Sequence, residues 1–326
     1  MKNSNSSKLA ALVLAGSVTG HAANWEKLEP LPAPNGGLIC GEVGGKIVII
    51  GGTNWETGEK KNWLREVYQL DPATLRWALL ASLKQPLAYA VGGNIGAAFV
   101  VVGGSTGAAP FAGVVRVENG RVHDQPVGGV PVAAVLSAGG VVGDEIMFSG
   151  GTDDAANIKG MGNRTYAWNS RTGALRTLAP APTVGFGTAT SLVVAGQLYV
   201  FGGVSWDPKT QAIANLAGVH VYSPASNTWR SLQAMPHPLR GHQAVALDDN
   251  LLYIAGGYGP DGFTDAAFVY DIAGDRYLSA PPLPIPLGTH VLRVGEYVYC
   301  FGGEDRIKHR TSAVYRIKVS ELLPRK

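Results

Sequence analysis

Six apolar runs that each end in a Gly-Gly pair recur along the 326-residue chain. They read KIVIIGG, AFVVVGG, EIMFSGG, QLYVFGG, LLYIAGG and YVYCFGG, and their glycine pairs begin at positions 51, 103, 150, 202, 256 and 302. Self-similarity at a fixed period indicates that the chain repeats one supersecondary unit, which buries its apolar face only against its neighbours. The sequence therefore predicts six copies of one structural unit.

Each unit shows the same order of local signals. A strand of small residues precedes the Gly-Gly strand, and a third strand and a turn lead to a fourth strand that usually opens with an aromatic residue. Three units have an aromatic at this position and two have a substitute: Trp77, Trp229, Tyr277, Arg121 and Leu175. Four strands within about 50 residues are typical of a kelch repeat. The predicted fold is all-β, a six-bladed kelch β-propeller.

The two ends of the chain are expected to share one blade. The last unit stops after its third strand, SAVYRIKV, and no aromatic-led fourth strand follows it. The segment WEKLEPLP, residues 25–32, matches the missing strand. Pairing it with the last unit would leave no open edge in the ring. The propeller is therefore predicted to span residues 24–326, with its last blade closed by the N-terminal strand.

Residues 1–23 have the composition of a secretory signal peptide. Lys2 and Lys8 precede an apolar segment from Leu9 to Val18, and small residues follow at Ala22 and Ala23. The apolar segment is too short for a permanent membrane span. We therefore expect the protein to be periplasmic or secreted.

The charge of the chain favours a small partner. The formal net charge of the whole chain is +3, and removal of Lys2 and Lys8 with the signal peptide would leave about +1. So small a charge gives no general attraction to nucleic acid or to an anionic membrane, and neither partner is expected. Cys40 and Cys300 lie in apolar, strand-like runs. A disulfide between them stays open as an alternative, but buried free thiols are the preferred interpretation.

The stretch FGGEDRIKHRTSAV, residues 301–314, differs from the other five repeats because an acid follows its glycine pair at once. Loops between the second and third strands of the blades should gather at one mouth of the ring, together with the starts of the inner strands. The residues expected near that mouth include Tyr89, Phe186, Arg240, His242 and His290. A carboxylate there could transfer protons, and a guanidinium could bind an anion through two hydrogen bonds. Residue types alone also fit a solvated, self-neutralising loop.

The order of residues in this stretch resembles the active-site loop of the N-acetylneuraminate epimerase family. The shared pattern is Gly-Glu, five residues, then Arg-Thr and a nearby Ala-Val: Gly303, Glu304, Arg310, Thr311, Ala313 and Val314. The blades with QLYVFGGVS and RGHQAVALDDNLLYIAGG precede the GGE blade in the same order as in that family. Blade 1, with GGTNWETGEKKNW, resembles the blade that follows the GGE blade, so the chain resembles a circularly permuted branch.

This resemblance implies an isomerase that interconverts the α and β anomers of free sialic acid. It implies that Glu304 transfers the proton and that Arg310 binds the sugar's carboxylate. Five further residues complete the predicted substrate contacts: His242, Tyr89, Arg240, Asn54 and Lys61. No cofactor and no metal ion are expected. Several loops after the Gly-Gly pairs are short, which leaves open a different acidic sugar as substrate.

Two other interpretations remain. A non-catalytic kelch propeller could bind a glycan or a protein through the same mouth, since the fold guarantees no chemistry. Such a protein would use Arg310 and Lys61 but would not need Glu304. A copper-radical oxidase ranks last, because no two histidines outside the signal segment show close ligand spacing and both cysteines lie inside strands.

Overall fold

The fold is taken from a computed structural model that describes residues 24–55, 59–126, 130 and 134–324. The predicted signal peptide, residues 1–23, lies outside these ranges. Strands dominate, as expected for a chain rich in β-branched and aromatic runs punctuated by glycine. A 3₁₀ turn at Ile158–Gly160 and a short α-helix α1 at Val319–Leu322 are the helical elements of the described part.

In the described ranges the strands form six large antiparallel sheets and one two-stranded sheet. The N-terminal strand and the strands of the first three sheets are β1 (Glu26–Lys27), β2 (Ile39–Val43), β3 (Lys46–Asn54), β4 (Asn62–Asp71), β5 (Arg76–Ser82), β6 (Val91–Ile95), β7 (Ala98–Val102), β8 (Gly113–Glu118), β9 (Arg121–Pro126), β10 (Ala138–Val142), β11 (Glu145–Ser149), β12 (Thr165–Asn169) and β13 (Leu175–Leu178). The remaining strands are β14 (Thr190–Val194), β15 (Gln197–Asp207), β16 (Ala212–Ser223), β17 (Thr228–Leu232), β18 (Gln243–Ala246), β19 (Leu251–Ala255), β20 (Tyr258–Gly259), β21 (Gly262–Phe263), β22 (Ala267–Asp271), β23 (Arg276–Ser279), β24 (Gly288–Val294), β25 (Tyr297–Arg306), β26 (His309–Arg310) and β27 (Val314–Lys318).

The six large sheets are the blades of a six-bladed β-propeller. Blades 1 to 4 are the meanders β2 to β5, β6 to β9, β10 to β13 and β14 to β17. Blade 5 has the order β18-β19-β22-β23, with β20 and β21 as a small side hairpin. The inner strands β2, β6, β10, β14, β18 and β24 each contact the next, and β24 contacts β2. The ring is therefore closed, and the predicted fold class is confirmed.

The last blade combines both ends of the chain. Its order is β24-β25-β27-β1, and Glu26 pairs with Arg316 while Lys27 pairs with Tyr315. The backbone N–H of Leu28 donates to the carbonyl of Val314 at 2.9 Å. The predicted closure by the N-terminal strand is confirmed, because β1 supplies the fourth strand that the C-terminal unit lacks.

The stretch after the sixth Gly-Gly pair was expected to be a loop and is a β-hairpin. Strand β25 continues through the glycines to Arg306, and β26 pairs back along it. Glu304 lies opposite Arg310, and Arg306 lies opposite His309. The hairpin forms because backbone pairing satisfies polar groups that a loop would leave to solvent. It extends the second strand of the blade beyond the sheet.

Apolar side chains fill the spaces between neighbouring blades. Each of six buried clusters in the described part of the chain joins side chains of two adjacent blades. One of them packs Ile47 and Leu70 of blade 1 against Tyr299 and Phe301 of blade 6. Because each blade buries its faces only against its neighbours, the stability of a blade depends on the ring being complete.

The two cysteines are free thiols, as the preferred interpretation stated. Cys300 is fully buried, and its sulfur lies 3.1 Å from the hydroxyl of Thr289. Burial raises the pKa of the Cys300 thiol to about 12, so it stays protonated. Among the described residues, helices are too short or too polar to cross a lipid bilayer.

Candidate active site

The hairpin of β25 and β26 carries the two residues that the sequence singled out. The guanidinium Nη1 of Arg310 donates to Oε2 of Glu304 at 2.5 Å, and the backbone N–H of Lys308 donates to Oε1 at 3.2 Å. Beside them, the ring of His309 lies 2.5 Å from the carboxylate of Asp305. Both oxygens of Glu304 are therefore anchored, and the carboxylate is held in one orientation by its own hairpin.

Arg310 fits closely against blade 1. A side-chain carbon added to Gly36 would lie 2.7 Å from Cδ of Arg310, so only glycine allows this approach. The side chain of Arg310 is 10% exposed and that of Glu304 is 26% exposed. The Nε of Arg310 is buried and has no hydrogen-bond partner in the described part of the chain. The ion pair is consequently shielded from water far more than a surface pair.

Tyr89 lies directly beside this pair. The backbone around Gly36 and Gly37 links them, because Arg310 packs over Gly36 and the Tyr89 ring packs over Gly37. The hydroxyl of Tyr89 lies 3.2 Å from that of Thr53, which also donates to the carbonyl of Gly36. Residues of blades 6, 1 and 2 thus meet at one end of the ring.

Lys61 and three aromatic rings form one wall of this site. The ammonium of Lys61 donates to the hydroxyl of Tyr89 at 3.3 Å. It also lies 5.2 Å from the ring centre of Trp55, 5.8 Å from that of Trp63 and 5.5 Å from that of Tyr89. Cations are attracted to aromatic faces at such distances. Lys61 is therefore held in a defined place at the mouth.

Arg240 approaches from blade 5. Its Nη1 donates to Oδ1 of Asn215 at 2.8 Å, and its guanidinium lies 4.3 Å from the ring centre of Tyr258. Burial lowers the pKa of Arg240, while the neighbouring Tyr258 and Glu304 oppose that shift. Gly288 lies between the two residues, since a side-chain carbon added to it would lie 3.5 Å from the carbonyl oxygen of Gly241 and 3.8 Å from that of Glu304. Arg240 and Glu304 therefore lie at the same mouth.

Two of the predicted substrate contacts, Asn54 and His242, are engaged in hydrogen bonds or buried within the protein. Asn54 donates to the carbonyl of Pro34 at 3.2 Å and accepts from the side chain of Asn62 at 3.0 Å. His242 is fully buried, and neither ring nitrogen has a hydrogen-bond partner among the described residues. Substrate contact by Asn54 or His242 stays a prediction, and each would first have to be freed or uncovered.

The mouth is positively charged. Four cationic side chains, those of Arg310, Lys61, Arg240 and Lys308, lie around the carboxylate of Glu304. Lys308 extends over the ring of Trp55, with its ammonium 5.9 Å from the ring centre. Fixed positive charge in a cleft attracts anions. In the described part of the chain, no three His, Cys, Asp or Glu side chains are grouped so that they could hold a metal ion.

Comparison with known proteins supports the repeat assignment. The Kelch motif model matches residues 40–84 and 186–236. The chain is a six-bladed β-propeller that contains kelch motifs. Kelch-like protein 36 of Bos taurus is 26% identical over 267 residues, which cover 80% of this chain and 42% of that protein. The kelch propeller thus spans less than half the length of this relative.

Two other relatives match shorter parts of the kelch propeller. The N-acetylneuraminate epimerase of Salmonella arizonae is 36% identical over 70 residues, 21% of this chain and 18% of that protein. Kelch-like protein terF of Aspergillus terreus is 28% identical over 186 residues, 52% of this chain and 38% of that protein. The likeness to an epimerase is therefore partial, while the likeness to kelch proteins extends over most of the ring.

Sequence reasoning missed the two tryptophans of the aromatic wall. Trp55 and Trp63 both occur in GGTNWETGEKKNW, the blade-1 segment that bears the resemblance to the epimerase family. Two tryptophans on both sides of a lysine pair, in a loop at the expected mouth, were the available signal. The sequence does not show that Trp55 lies within 5.9 Å of the Lys308 ammonium, on the hairpin that carries Glu304.

Proposed function

We propose that this kelch propeller is an isomerase that interconverts the α and β anomers of N-acetylneuraminic acid or a related acidic sugar. The observation that carries the proposal is the shielded Glu304–Arg310 pair, set among further cations at one mouth of the ring. The partial likeness to an N-acetylneuraminate epimerase supports the same reaction class. An anionic sugar fits a mouth that gathers four cationic side chains around Glu304.

The chemistry needs a proton acceptor beside the anomeric carbon. Opening a cyclic hemiketal removes a proton from the anomeric hydroxyl, breaks the bond between the anomeric carbon and the ring oxygen, and adds a proton to that oxygen. Glu304 is the proposed acceptor, because its carboxylate is paired with Arg310 and oriented by two hydrogen bonds. Closure on the other face of the ketone then yields the second anomer.

The proposed role of Arg310 combines two tasks. Its Nη1 holds Glu304, and the rest of the guanidinium is proposed to bind the sugar's carboxylate. Lys61 and Arg240 add positive charge from blade 1 and blade 5. In this arrangement the substrate's carboxylate would share Arg310 with Glu304, so binding and proton transfer depend on the same residue.

The deciding experiment follows anomer exchange directly. Purified protein is added to freshly dissolved α-N-acetylneuraminic acid, and proton NMR records the approach to equilibrium against a buffer control. We expect Glu304→Gln to lower the catalysed rate on the order of 100-fold or more, because a primary amide cannot accept the proton. Glu296→Gln is the matched control, since Glu296 is exposed in the turn between β24 and β25, at the end of β25 opposite to Glu304. Wild-type exchange no faster than buffer would refute the isomerase.

A non-catalytic propeller that binds a glycan or protein is the second candidate. It is favoured by the relatives that match most of the chain, whose names state no reaction. The two candidates differ in their need for Glu304. If Arg310→Ala and Lys61→Ala abolish binding of the sugar while wild type shows no exchange, the binding function stands and the isomerase does not.

A further inference from the structure

Opening a hemiketal ring requires a proton donor as well as a proton acceptor. Glu304 is tied on both oxygens, by Arg310 and by the backbone of Lys308. A carboxylate fixed in this way faces one side of a bound sugar, while the anomeric hydroxyl and the ring oxygen are two separate atoms. The mouth should therefore hold a second group that can give up a proton.

Tyr89 occupies a special position of the fold. At the start of the inner strands, backbone hydrogen bonds run from blade to blade around the axis: the N–H of Tyr89 to Gly37, that of Leu136 to Tyr89, that of Thr188 to Leu136 and that of Gly241 to Thr188. All five residues of this series of hydrogen bonds have positive φ, with values from 52° to 64°. Tyr89 alone among them has an ionisable side chain.

The surroundings of the Tyr89 hydroxyl favour release of its proton. Its neighbours are the ammonium of Lys61 at 3.3 Å and the hydroxyl of Thr53 at 3.2 Å. Burial by itself would raise the pKa of Tyr89, but the charges of Arg310 and Lys61, together with the hydrogen bonds that the hydroxyl shares with Thr53 and Lys61, outweigh burial and lower it. Both charged groups that act on the hydroxyl are cations, namely Arg310 of β26 and Lys61 in the segment before β4.

We propose that Tyr89 is the general acid of this site and donates its proton to the ring oxygen of the sugar while Glu304 takes the proton of the anomeric hydroxyl. This inference rests on the proposed isomerase function. As the bond between the anomeric carbon and the ring oxygen breaks, its electron pair stays with the oxygen, which receives the proton of Tyr89. The product is the open-chain ketone with a free hydroxyl, and Lys61 and Arg310 stabilise the tyrosinate. Ring closure on the opposite face reverses both transfers.

The test compares Tyr89→Phe with Tyr297→Phe in the NMR exchange experiment. Tyr297 begins β25, whereas Glu304 lies near the end of that strand, so the control removes a phenol hydroxyl at the far side of the blade. We expect Tyr89→Phe to lower kcat on the order of 100-fold, with KM changed less than about threefold. The wild-type rate, corrected for buffer, should fall as the pH rises towards the lowered pKa of Tyr89, and this fall should be absent from the residual rate of Tyr89→Phe.

A second measurement does not require the sugar. Alkaline titration of tyrosinate absorbance should show one early-ionising tyrosine in wild type and in Tyr297→Phe, and it should be missing in Tyr89→Phe. If wild type catalyses exchange and Tyr89→Phe matches it within about twofold, the role of Tyr89 is overturned while the isomerase stands. If wild type does not catalyse exchange, both the isomerase and the general acid are refuted.

Discussion

Two of the histidines that the sequence placed near the mouth, His242 and His290, are kept neutral by burial. His242 is fully buried, and burial lowers its pKa to about 3. Burial, followed by the charge of Arg310, lowers the pKa of His290 to about 4. Both rings are therefore neutral at pH 7, and neither can act there as a cationic ligand for the sugar.

These two histidines should make the fold sensitive to acid. Below about pH 6.5 the unfolded chain binds a proton at each histidine, but the folded protein does not until about pH 4 for His290 and about pH 3 for His242. The stability that comes from keeping these histidines neutral should thus be fully present above about pH 6.5. Below that pH, the free energy of unfolding should fall by about 1.4 kcal/mol per pH unit for each histidine. Urea unfolding at several pH values measures the slope.

The matched variants are His242→Gln and His123→Gln. We expect His242→Gln to reduce the slope between about pH 6 and about pH 4.5 by roughly one proton, because the variant has no imidazole to protonate on unfolding. The exposed His123 should leave the slope unchanged when replaced. Equal slopes for wild type and His242→Gln would show that burial does not hold His242 neutral.

At the scale of elements, the hairpin of β25 and β26 decides where Glu304 points. Its two-residue turn is Ile307 and Lys308, and Lys308 has a φ of 56°, in the left-handed region. The N–H of Lys308 also donates to Glu304. One turn residue therefore sets both the path of the backbone and the orientation of the carboxylate.

Two substitutions at this turn should have opposite results. Lys308→Gly suits a positive φ and keeps the N–H, whereas Lys308→Pro can adopt neither the φ nor the hydrogen bond. Both variants lose the Lys308 ammonium, so their difference reports the backbone alone: we expect anomer exchange by Lys308→Pro to be about tenfold or more slower than by Lys308→Gly, through misplacement of Glu304. NMR exchange measures both, and circular dichroism melting checks that the ring remains folded. Full activity in Lys308→Pro would mean that the turn does not position Glu304.

At the scale of the whole molecule, aromatic residues connect the blades to one another. The residue that opens the fourth strand donates a hydrogen bond to a backbone carbonyl of the preceding blade at four junctions: Trp25 to Pro282, Trp77 to Glu29, Trp229 to Ala179 and Tyr277 to Gln233. Blade 3 has Leu175 at this position. A cleft of about 410 Å³ lies at the junction of blades 2 and 3, lined by Gln125, Trp168 and Gly173 among others.

Replacing this leucine should strengthen that junction. An indole at position 175 would extend from the fourth strand of blade 3 towards blade 2, as the aromatic residues of other blades extend towards the preceding blade. We expect Leu175→Trp to raise Tm by about 1–3 °C. Leu79→Trp is the control, because Leu79 is 57% exposed on another fourth strand. Calorimetry measures both, and an unchanged or lower Tm for Leu175→Trp would contradict this account of the cleft.

Much of the architecture could be predicted because it repeats. The Gly-Gly strands recur at a nearly constant period, and a repeat that cannot bury its apolar face alone must stack against its neighbours. The closing strand at Glu26–Lys27 was predictable for a related reason, since the last unit lacks a strand and an open ring edge is costly. The hairpin at Glu304 was predicted only as a loop, because charged residues there outweighed the signal for pairing.

Sequence by itself determined six blades, their closure and the unusual acid after the sixth Gly-Gly pair, since these depend on local patterns and their spacing. Sequence also predicted that Tyr89 and Lys61 lie at the mouth with that acid, but only the tertiary structure decided which contacts they make. Closure of the ring places Lys61 and Tyr89, from the first two blades, beside Arg310 of the last blade. Contacts between residues so distant in the chain depend on the curvature of the whole ring, and the burial that keeps His242 neutral depends on the packing of adjacent blades. Neither is present in any local pattern of the sequence.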